Sequence, residues 1–186
     1  GKVEDYETLS STNCGVFKKD KLVGYISQDE RKLYTIVNNK LNSGIINLKL
    51  PGSDDYIAFE IYKSKTKYKP REVNGKLTMD VFVTTDVFIG EMDTQNNYGK
   101  KAERNVISRL LEDQMKTDIE TLFKKCQNEF DSDIFGFGRY IHNNEPKLWE
   151  KYKDNWDEEF RNLDINVDYK IVIRGTGVGS STIQIA

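Results

Sequence analysis

Apolar and polar residues alternate along several stretches of the chain, and this two-residue period predicts β-strands. Between residues 76 and 91, six apolar side chains have the same parity, so an extended strand places them on one face. They are Leu77, Met79, Val81, Val83, Val87 and Ile89. A second clear alternation runs from Leu163 to Ile173, with Asp, Asn and Lys between the apolar positions. Each strand therefore presents an apolar face that must pack against a second layer.

Turn residues divide the first half of the chain into further strands. The Asn74-Gly75 dipeptide tolerates the positive φ angles of a tight hairpin, and Pro51-Gly52 ends an extended segment. The predicted strands are a hairpin within 14–26 around the polar turn 18–21, a segment over 44–50, one from Tyr56 towards Pro70, and one over 76–91.

Apolar residues at three- and four-residue spacing predict helices in the remaining segments. The longest helix runs from about Lys101 to Phe130, and its apolar stripe comprises Val106, Ile107, Leu110, Leu111, Met115, Ile119, Leu122, Phe123, Cys126 and Phe130. A capping box of Ser27 and Glu30 begins an earlier helix. Asp133 is placed to cap a short helix through Tyr140, and Pro146 suits the first turn of another.

Strands and helices are segregated along the chain, and this order predicts an α+β fold. The expected architecture is a two-layer sandwich, a mainly antiparallel sheet packed against the long helix and shorter helices. We expect one domain over 14–177, with a lead-in over 1–13 and a tail over 178–186 that provides a possible edge strand.

Composition and charge narrow the classes of function. The chain has 186 residues, of which 37% are hydrophobic and 31% charged, as expected of a folded domain. Its 28 basic and 30 acidic residues nearly balance, so no overall field favours nucleic acid, and none is expected as a partner. No apolar run approaches the roughly 18 residues of a membrane-spanning helix.

The sequence offers few groups for catalysis. The single histidine, His142, is not accompanied by a recognisable nucleophile motif, and Cys14 and Cys126 lack the clustered spacing of a metal or redox site. The glycines over 175–179 follow the last strand with no helix after them and no P-loop lysine. We therefore expect no enzyme, no metal and no cofactor, and whether the two cysteines pair stays open.

Four lysines form a basic row in the strand that begins at Tyr56. Lys63, Lys65, Lys67 and Lys69 have one parity and follow Ile57, Phe59 and Ile61 of the same parity, so one face is expected to change from apolar to basic. One interpretation is that the strand outruns the sheet and the lysines protect its exposed end from edge pairing. The other is a cationic ledge for anionic lipid headgroups or an acidic partner.

The segment 134–140 combines aromatic residues with two glycines. Glycines weaken a helix by about 1 kcal/mol each, so Gly136 and Gly138 indicate close packing against a neighbouring element. Core packing is one interpretation, and an aromatic groove for a partner or small ligand is the alternative. The candidate interaction residues of this segment are Phe135, Phe137, Arg139 and Tyr140.

An ordered series of short motifs resembles the C-terminal region of the GerAC, or Ger(x)C, spore-germination proteins. Asp133-Ile-Phe-Gly-Phe-Gly-Arg-Tyr-Ile-His is followed by Pro146-Lys-Leu-Trp, by Trp156 and by a strand ending near Arg174. Earlier pieces agree in the same order, namely Gly15-Val-Phe-Lys-Lys-Asp-Lys-Leu-Val-Gly, Asn42-Ser-Gly-Ile-Ile and Ser64-Lys-Thr-Lys. The resemblance covers about 14–177.

This resemblance implies a subunit of a spore nutrient germinant receptor, without catalytic residues to carry over. Its implied partners are the two integral membrane subunits, A and B. Its implied location is the outer surface of the spore inner membrane, held by an N-terminal lipid anchor outside this chain. We expect a role in receptor assembly and signalling through protein contacts; the alternatives are a module that binds a small germinant and a wall-active hydrolase.

Overall fold

A computed structural model describes residues 13–52, 54–92 and 101–176. The expected lead-in over 1–13, apart from Asn13, and the tail over 178–186, with its possible edge strand, lie outside these residues. The strands are β1 Cys14–Lys18, β2 Lys21–Ile26, β3 Gly44–Lys49, β4 Tyr56–Val73, β5 Lys76–Met92 and β6 Asp164–Thr176. The helices are α1 Gln28–Val37, α2 Lys101–Lys125, α3 Phe137–Asn144, α4 Pro146–Tyr152 and α5 Trp156–Arg161, with a π-helical turn at Cys126–Phe130 and a 3-10 turn at Lys153–Asn155.

The described strands form two sheets. β1 and β2 pair as a hairpin, and the larger sheet has the order β3-β4-β5-β6. The β3–β4 and β4–β5 pairs are antiparallel, whereas β6 returns parallel to β5. A parallel pair needs a long crossover, and the helices α2 to α5 supply it. The predicted α+β architecture with a mainly antiparallel sheet is confirmed.

The β4–β5 hairpin turns at the predicted dipeptide. Asn74 and Gly75 have φ angles of 52° and 76°, the combination that a two-residue type I′ turn requires. The turn fixes the pairing of Val73 with Lys76, and the two strands then stay paired along their length. This long hairpin forms the centre of the sheet.

The core lies between the sheet and α2. The helix residues fully buried there include Ile107, Leu111, Ile119 and Leu122, each at most 1% exposed. Val106 was expected in the same stripe, but its side chain is 58% exposed. Successive helical residues lie about 100° apart, so only one of the neighbours 106 and 107 can face the sheet. The predicted helix through Phe130 also leaves α geometry at Cys126, where the π-helical turn begins.

A β-bulge divides β4 into two halves. Ile61 pairs with Val87 and Lys63 with Asp86, so two steps along β4 match one step along β5 and Tyr62 is the extra residue. Before the bulge the odd-numbered positions are buried; beyond it the buried or half-buried positions are the even-numbered ones. The expectation that the lysines share a face with Ile57, Phe59 and Ile61 is therefore wrong, because the bulge reverses the parity.

The second half of β4 has β5 on one side and none of the described strands on the other, because β3 pairs only as far as Ile61. Along that edge, side chains make hydrogen bonds to the β4 backbone in place of a neighbouring strand. The Asn39 amide accepts from Thr66 N at 2.7 Å and donates to Thr66 O at 2.9 Å, and the Tyr140 hydroxyl donates to Tyr68 O at 3.0 Å. These contacts satisfy backbone groups that would otherwise invite another strand.

Candidate functional site

The four lysines of the basic row lie on the sheet face opposite the α2 core, which we call the open face. The strand does not outrun the sheet, because every one of these lysines has a paired residue on β5. None of the described strands pairs with the other edge of this half of β4, so the interpretation that the lysines protect an edge still applies. The pairs are Lys63 with Asp86, Lys65 with Thr84, Lys67 with Phe82 and Lys69 with Asp80. All four lysines are exposed. The structure thus keeps the row together and turns it away from the core.

Strand β6 contributes further side chains to the open face, beside those of β4 and β5. Its Lys170 lies beside Thr84, and Asp168 lies beside Phe82. Arg174 contributes a guanidinium that binds the Asp86 carboxylate at 2.8 Å. Lys170 and Arg174 are about a hundred positions from the basic row in sequence, and only the parallel pairing of β6 with β5 brings them to it.

The two arginines of the open face are engaged with aspartates. Arg174 binds Asp86, and Arg71 binds Asp80 through Nε at 2.6 Å and Nη2 at 3.0 Å. The hydrogen bond from Arg71 holds the pKa of Asp80 below its usual value against the effect of burial. By contrast, the side chains of Lys63, Lys65, Lys67 and Lys170 make no ion pair or hydrogen bond with the other described residues. The free positive charge of this face is therefore carried by lysines.

A shallow depression of about 530 Å³ lies in the middle of the open face. It is lined by Lys63, Lys65, Lys67, Phe82, Thr84, Asp86 and Arg174. Four cations thus surround one carboxylate. Phe82 is 40% exposed and supplies apolar surface between the charges, while Tyr62 at the bulge is 66% exposed and packs edge to face on Phe88.

The aromatic residues of segment 134–140 belong to the core. Phe135 and Phe137 are 4% and 0% exposed, and their rings contact Phe123 at centroid distances of 4.7 and 5.5 Å. The core-packing interpretation is confirmed, and this burial leaves neither ring available to a groove for a partner. Arg139 is exposed, whereas Tyr140 packs on Tyr68 with ring centroids 5.0 Å apart.

The segment and the basic row lie on different sides of β4. Tyr68, which contacts both Phe137 and Tyr140, alternates with Lys67 and Lys69 and so points to the opposite face. The predicted interaction residues therefore do not form one surface. Of the predicted interaction residues, only the lysines form a cluster of exposed, charged side chains, and they form it on the open face.

Asp133 organises the start of α3, which begins at Phe137 and ends at Asn144 rather than at Tyr140. Its carboxylate accepts hydrogen bonds from the backbone N–H groups of Gly136, Phe137 and Gly138 at 2.8–3.0 Å, and from the indole of Trp156 at 3.2 Å. Burial raises the pKa of Asp133, and these four donors oppose that rise. The cap is predicted by the local sequence, but the contact with Trp156 is not, because Trp156 comes from α5.

The close packing that the glycines predict is found at Gly138. A Cβ atom there would lie 2.6 Å from Cε2 and Nε1 of Trp156, so only glycine fits. Gly136 has a φ of +75°, which favours glycine for a different reason.

A second concave site lies between α1, α2 and β3. This cleft has a volume of about 400 Å³, and its apolar wall comprises Leu33, Ile46, Met115 and Leu122. Its polar rim includes Asp29 and Asp118, and burial together with the Asp29 charge raises the pKa of Asp118. No local sequence pattern predicts this cleft, because its residues come from three separate elements.

The single histidine and the two cysteines are the remaining residues with reactive side chains. His142 packs against Trp149 with ring centroids 5.7 Å apart. Neither cysteine is in a disulfide, and burial raises the pKa of the Cys126 thiol to about 12. Within the described ranges, no group of three His, Cys, Asp or Glu side chains is arranged to hold a metal ion. None of the helices described is both long and apolar enough to cross a bilayer.

Comparison with known proteins assigns the family. The family profile described as spore germination B3/GerAC like, C-terminal, matches residues 12–177. Spore germination protein B3 of Bacillus subtilis is 32% identical over 88% of this chain and 44% of its own length, and spore germination protein KC of the same organism is 26% identical over 95% and 44%.

A solved structure agrees with this assignment. The structure titled as that of the GerBC protein is similar with a TM-score of 0.79 and 30% identity, over 88% of this chain and 51% of its own. The chain therefore spans less than half the length of these two curated relatives. On both sequence and fold, the chain belongs to the spore germination B3/GerAC-like family and corresponds to its C-terminal domain.

Proposed function

We propose that this domain is a non-enzymatic module of a spore nutrient germinant receptor, which acts in receptor assembly and signalling through protein contacts. Family membership supports the receptor context. In this proposal the full-length protein is held by a lipid anchor at the outer surface of the spore inner membrane, beside the integral A and B subunits.

The observation that carries a role in protein contacts is an exposed apolar patch on the β1–β2 hairpin. Phe17, Leu22 and Tyr25 are 57%, 47% and 56% exposed, and the strand register places them on one face around Gly15. Exposed apolar patches commonly mark protein interaction sites, and Phe and Tyr are enriched in interface cores.

The hairpin is held firmly enough to present this patch. Gly24 lies so close to Phe130 that a Cβ atom there would be 2.4 Å from the ring. Lys18 binds the carboxylates of Asp131 at 2.7 Å and Asp157 at 3.2 Å. The outer face of the hairpin therefore needs little ordering when a partner docks.

Co-purification of the tagged full-length protein from spore inner membranes tests this proposal. We expect the A and B subunits with the unaltered protein and a marked loss with the Phe17→Ser/Tyr25→Ser double variant. Val106→Ser is the matched control, because Val106 is 58% exposed on α2, away from the hairpin. Failure to recover either subunit with the unaltered protein would refute the assembly role.

The cleft between α1, α2 and β3 supports a second candidate, direct recognition of a small germinant. An apolar wall beside Asp118 is suited to a ligand that combines an apolar part with an amine. A thermal-shift screen of nutrients tests this, since a ligand at 100 times its dissociation constant adds about 2.7 kcal/mol of stability. A hit that Asp118→Asn abolishes would support it, and no shift with any nutrient would exclude it.

A further inference from the structure

The open face carries a local positive charge that the chain as a whole does not. The chain has a formal net charge of −2, yet the depression is lined by Lys63, Lys65, Lys67 and Arg174 against the single carboxylate of Asp86. We propose that this face docks on the surface of an anionic phospholipid bilayer. The proposal does not depend on receptor assembly or on a bound germinant.

The spread of the charges fits a surface better than a single anion. Alternate residues of a strand lie about 6.8 Å apart, so the row from Lys63 to Lys67 spans about 14 Å. Lys170 lies two strands from Lys65, which is about 10 Å away across the sheet. Ammonium groups distributed over a nearly flat face can each meet a separate headgroup, whereas a site for one phosphate needs donors that converge.

The choice of cation favours lipid over an acidic protein. Protein interfaces are enriched in arginine, whose planar fork binds carboxylates in fixed geometry, and depleted in lysine. Here Arg71 and Arg174 are already bound to Asp80 and Asp86. The cations that remain free are lysines, which attract an anionic membrane without a fixed geometry.

The exposed aromatic side chains of this face suit a bilayer as well as a protein, so the choice of partner rests on the lysines. Tyr62 and Phe82 flank the lysines and are 66% and 40% exposed. Aromatic rings of this kind favour the boundary between headgroups and acyl chains. The open face also carries the carboxylates of Glu60, Asp164 and Asp168, but these three do not line the depression. The cationic patch is therefore local, and its contribution falls off within about 10 Å at moderate salt.

Sedimentation of this chain with lipid vesicles at low ionic strength tests the proposal. We expect binding to vesicles of equal parts phosphatidylglycerol and phosphatidylcholine, and none to pure phosphatidylcholine. Each lysine near an anionic surface contributes about fivefold, so the triple variant Lys63→Gln/Lys65→Gln/Lys67→Gln should lower the partition coefficient about 100-fold. The matched control is Lys21→Gln/Lys124→Gln/Lys147→Gln, which removes the same charge from exposed positions outside the open face.

The outcomes separate the possible partners. Loss of binding in the triple variant alone, with thermal unfolding unchanged in both variants, would support lipid docking. An equal loss in the control would show a general charge effect and overturn the proposal, as would the absence of binding to the anionic vesicles. Binding to polyglutamate but not to vesicles would identify an acidic protein instead. Because the assay contains no receptor subunit, its failure leaves the assembly role untouched.

Discussion

The Asp133 carboxylate is predicted to be the most sensitive single polar group of the domain. Replacement by alanine leaves the backbone N–H groups of Gly136, Phe137 and Gly138 and the indole N–H of Trp156 without their acceptor. A hydrogen bond to a charged group contributes about 1.5–3 kcal/mol, but water can reach part of this site and the losses are not additive. We therefore expect Asp133→Ala to lower the free energy of unfolding by about 3–4 kcal/mol, a large share of the 5–15 kcal/mol typical of a domain.

Urea unfolding followed by tryptophan fluorescence measures this loss directly. The chain has two tryptophans, and Trp156 contacts the altered side chain while Trp149 packs on Trp156. Asp133→Asn keeps one acceptor oxygen and should lose about half as much. Ser132→Ala is the control, because it removes only a 3.2 Å exposed hydrogen bond to Phe17 O and should cost less than about 1 kcal/mol. If Asp133→Ala proved no more destabilising than Ser132→Ala, the carboxylate would not be organising α3.

Three further perturbations follow from particular contacts. Gly138→Ala should cost about 1–3 kcal/mol in urea unfolding, because its Cβ would lie 2.6 Å from Trp156; an unchanged midpoint would contradict this. Burial alone would raise the pKa of Glu30, but the hydrogen bonds from Lys125 and Ser27 together outweigh it and hold this pKa below the usual 4.5. The stabilisation by the Glu30 carboxylate is therefore present above that pH and is lost as the pH falls. Glu30→Gln should therefore lower stability by up to about 1 kcal/mol at pH 7 and by less at pH 3.5, and an equal loss at both would count against the argument. Deletion of the bulge residue Tyr62 should cost only about 1–2 kcal/mol in thermal unfolding, because the strand alternation then continues with the same faces, and an unfolded chain would refute this.

The fold was largely predictable because its main signals are local. Six same-parity apolar residues define the inner face of β5, and the Asn74-Gly75 dipeptide fixes the turn before it. The spacing along α2 identified its buried side, apart from Val106, which lies at the edge of the stripe. Each of these signals relates residues at most a few positions apart, so the sequence reports it without knowledge of the tertiary structure.

The candidate site was less predictable because its parts meet only in three dimensions. The basic row was visible in the sequence, but Lys170 and Arg174 join it through the parallel β5–β6 pairing, which no local pattern reveals. For the segment around Phe135 the sequence left an aromatic groove open as the alternative to core packing, and the burial of that segment depends on Phe123, which lies in α2. Strand pairing and side-chain packing between residues far apart in sequence depend on the tertiary structure as a whole.

The bulge at Tyr62 could have been inferred, because the sequence contains a contradiction that only a bulge resolves. An unbroken strand that buries Ile57, Phe59 and Ile61 would also bury the lysines at 63, 65, 67 and 69 and expose Thr66 and Tyr68. Burying an unpaired ammonium costs several kcal/mol, far more than the distortion of one ladder position. The extra residue lets Thr66 and Tyr68 bond to Ile36 O and Val37 O of α1 on the inner side, while the lysines stay in water. The bulge thus joins apolar odd-numbered positions before it to basic odd-numbered positions after it, so that the former face the core and the latter form the proposed docking surface.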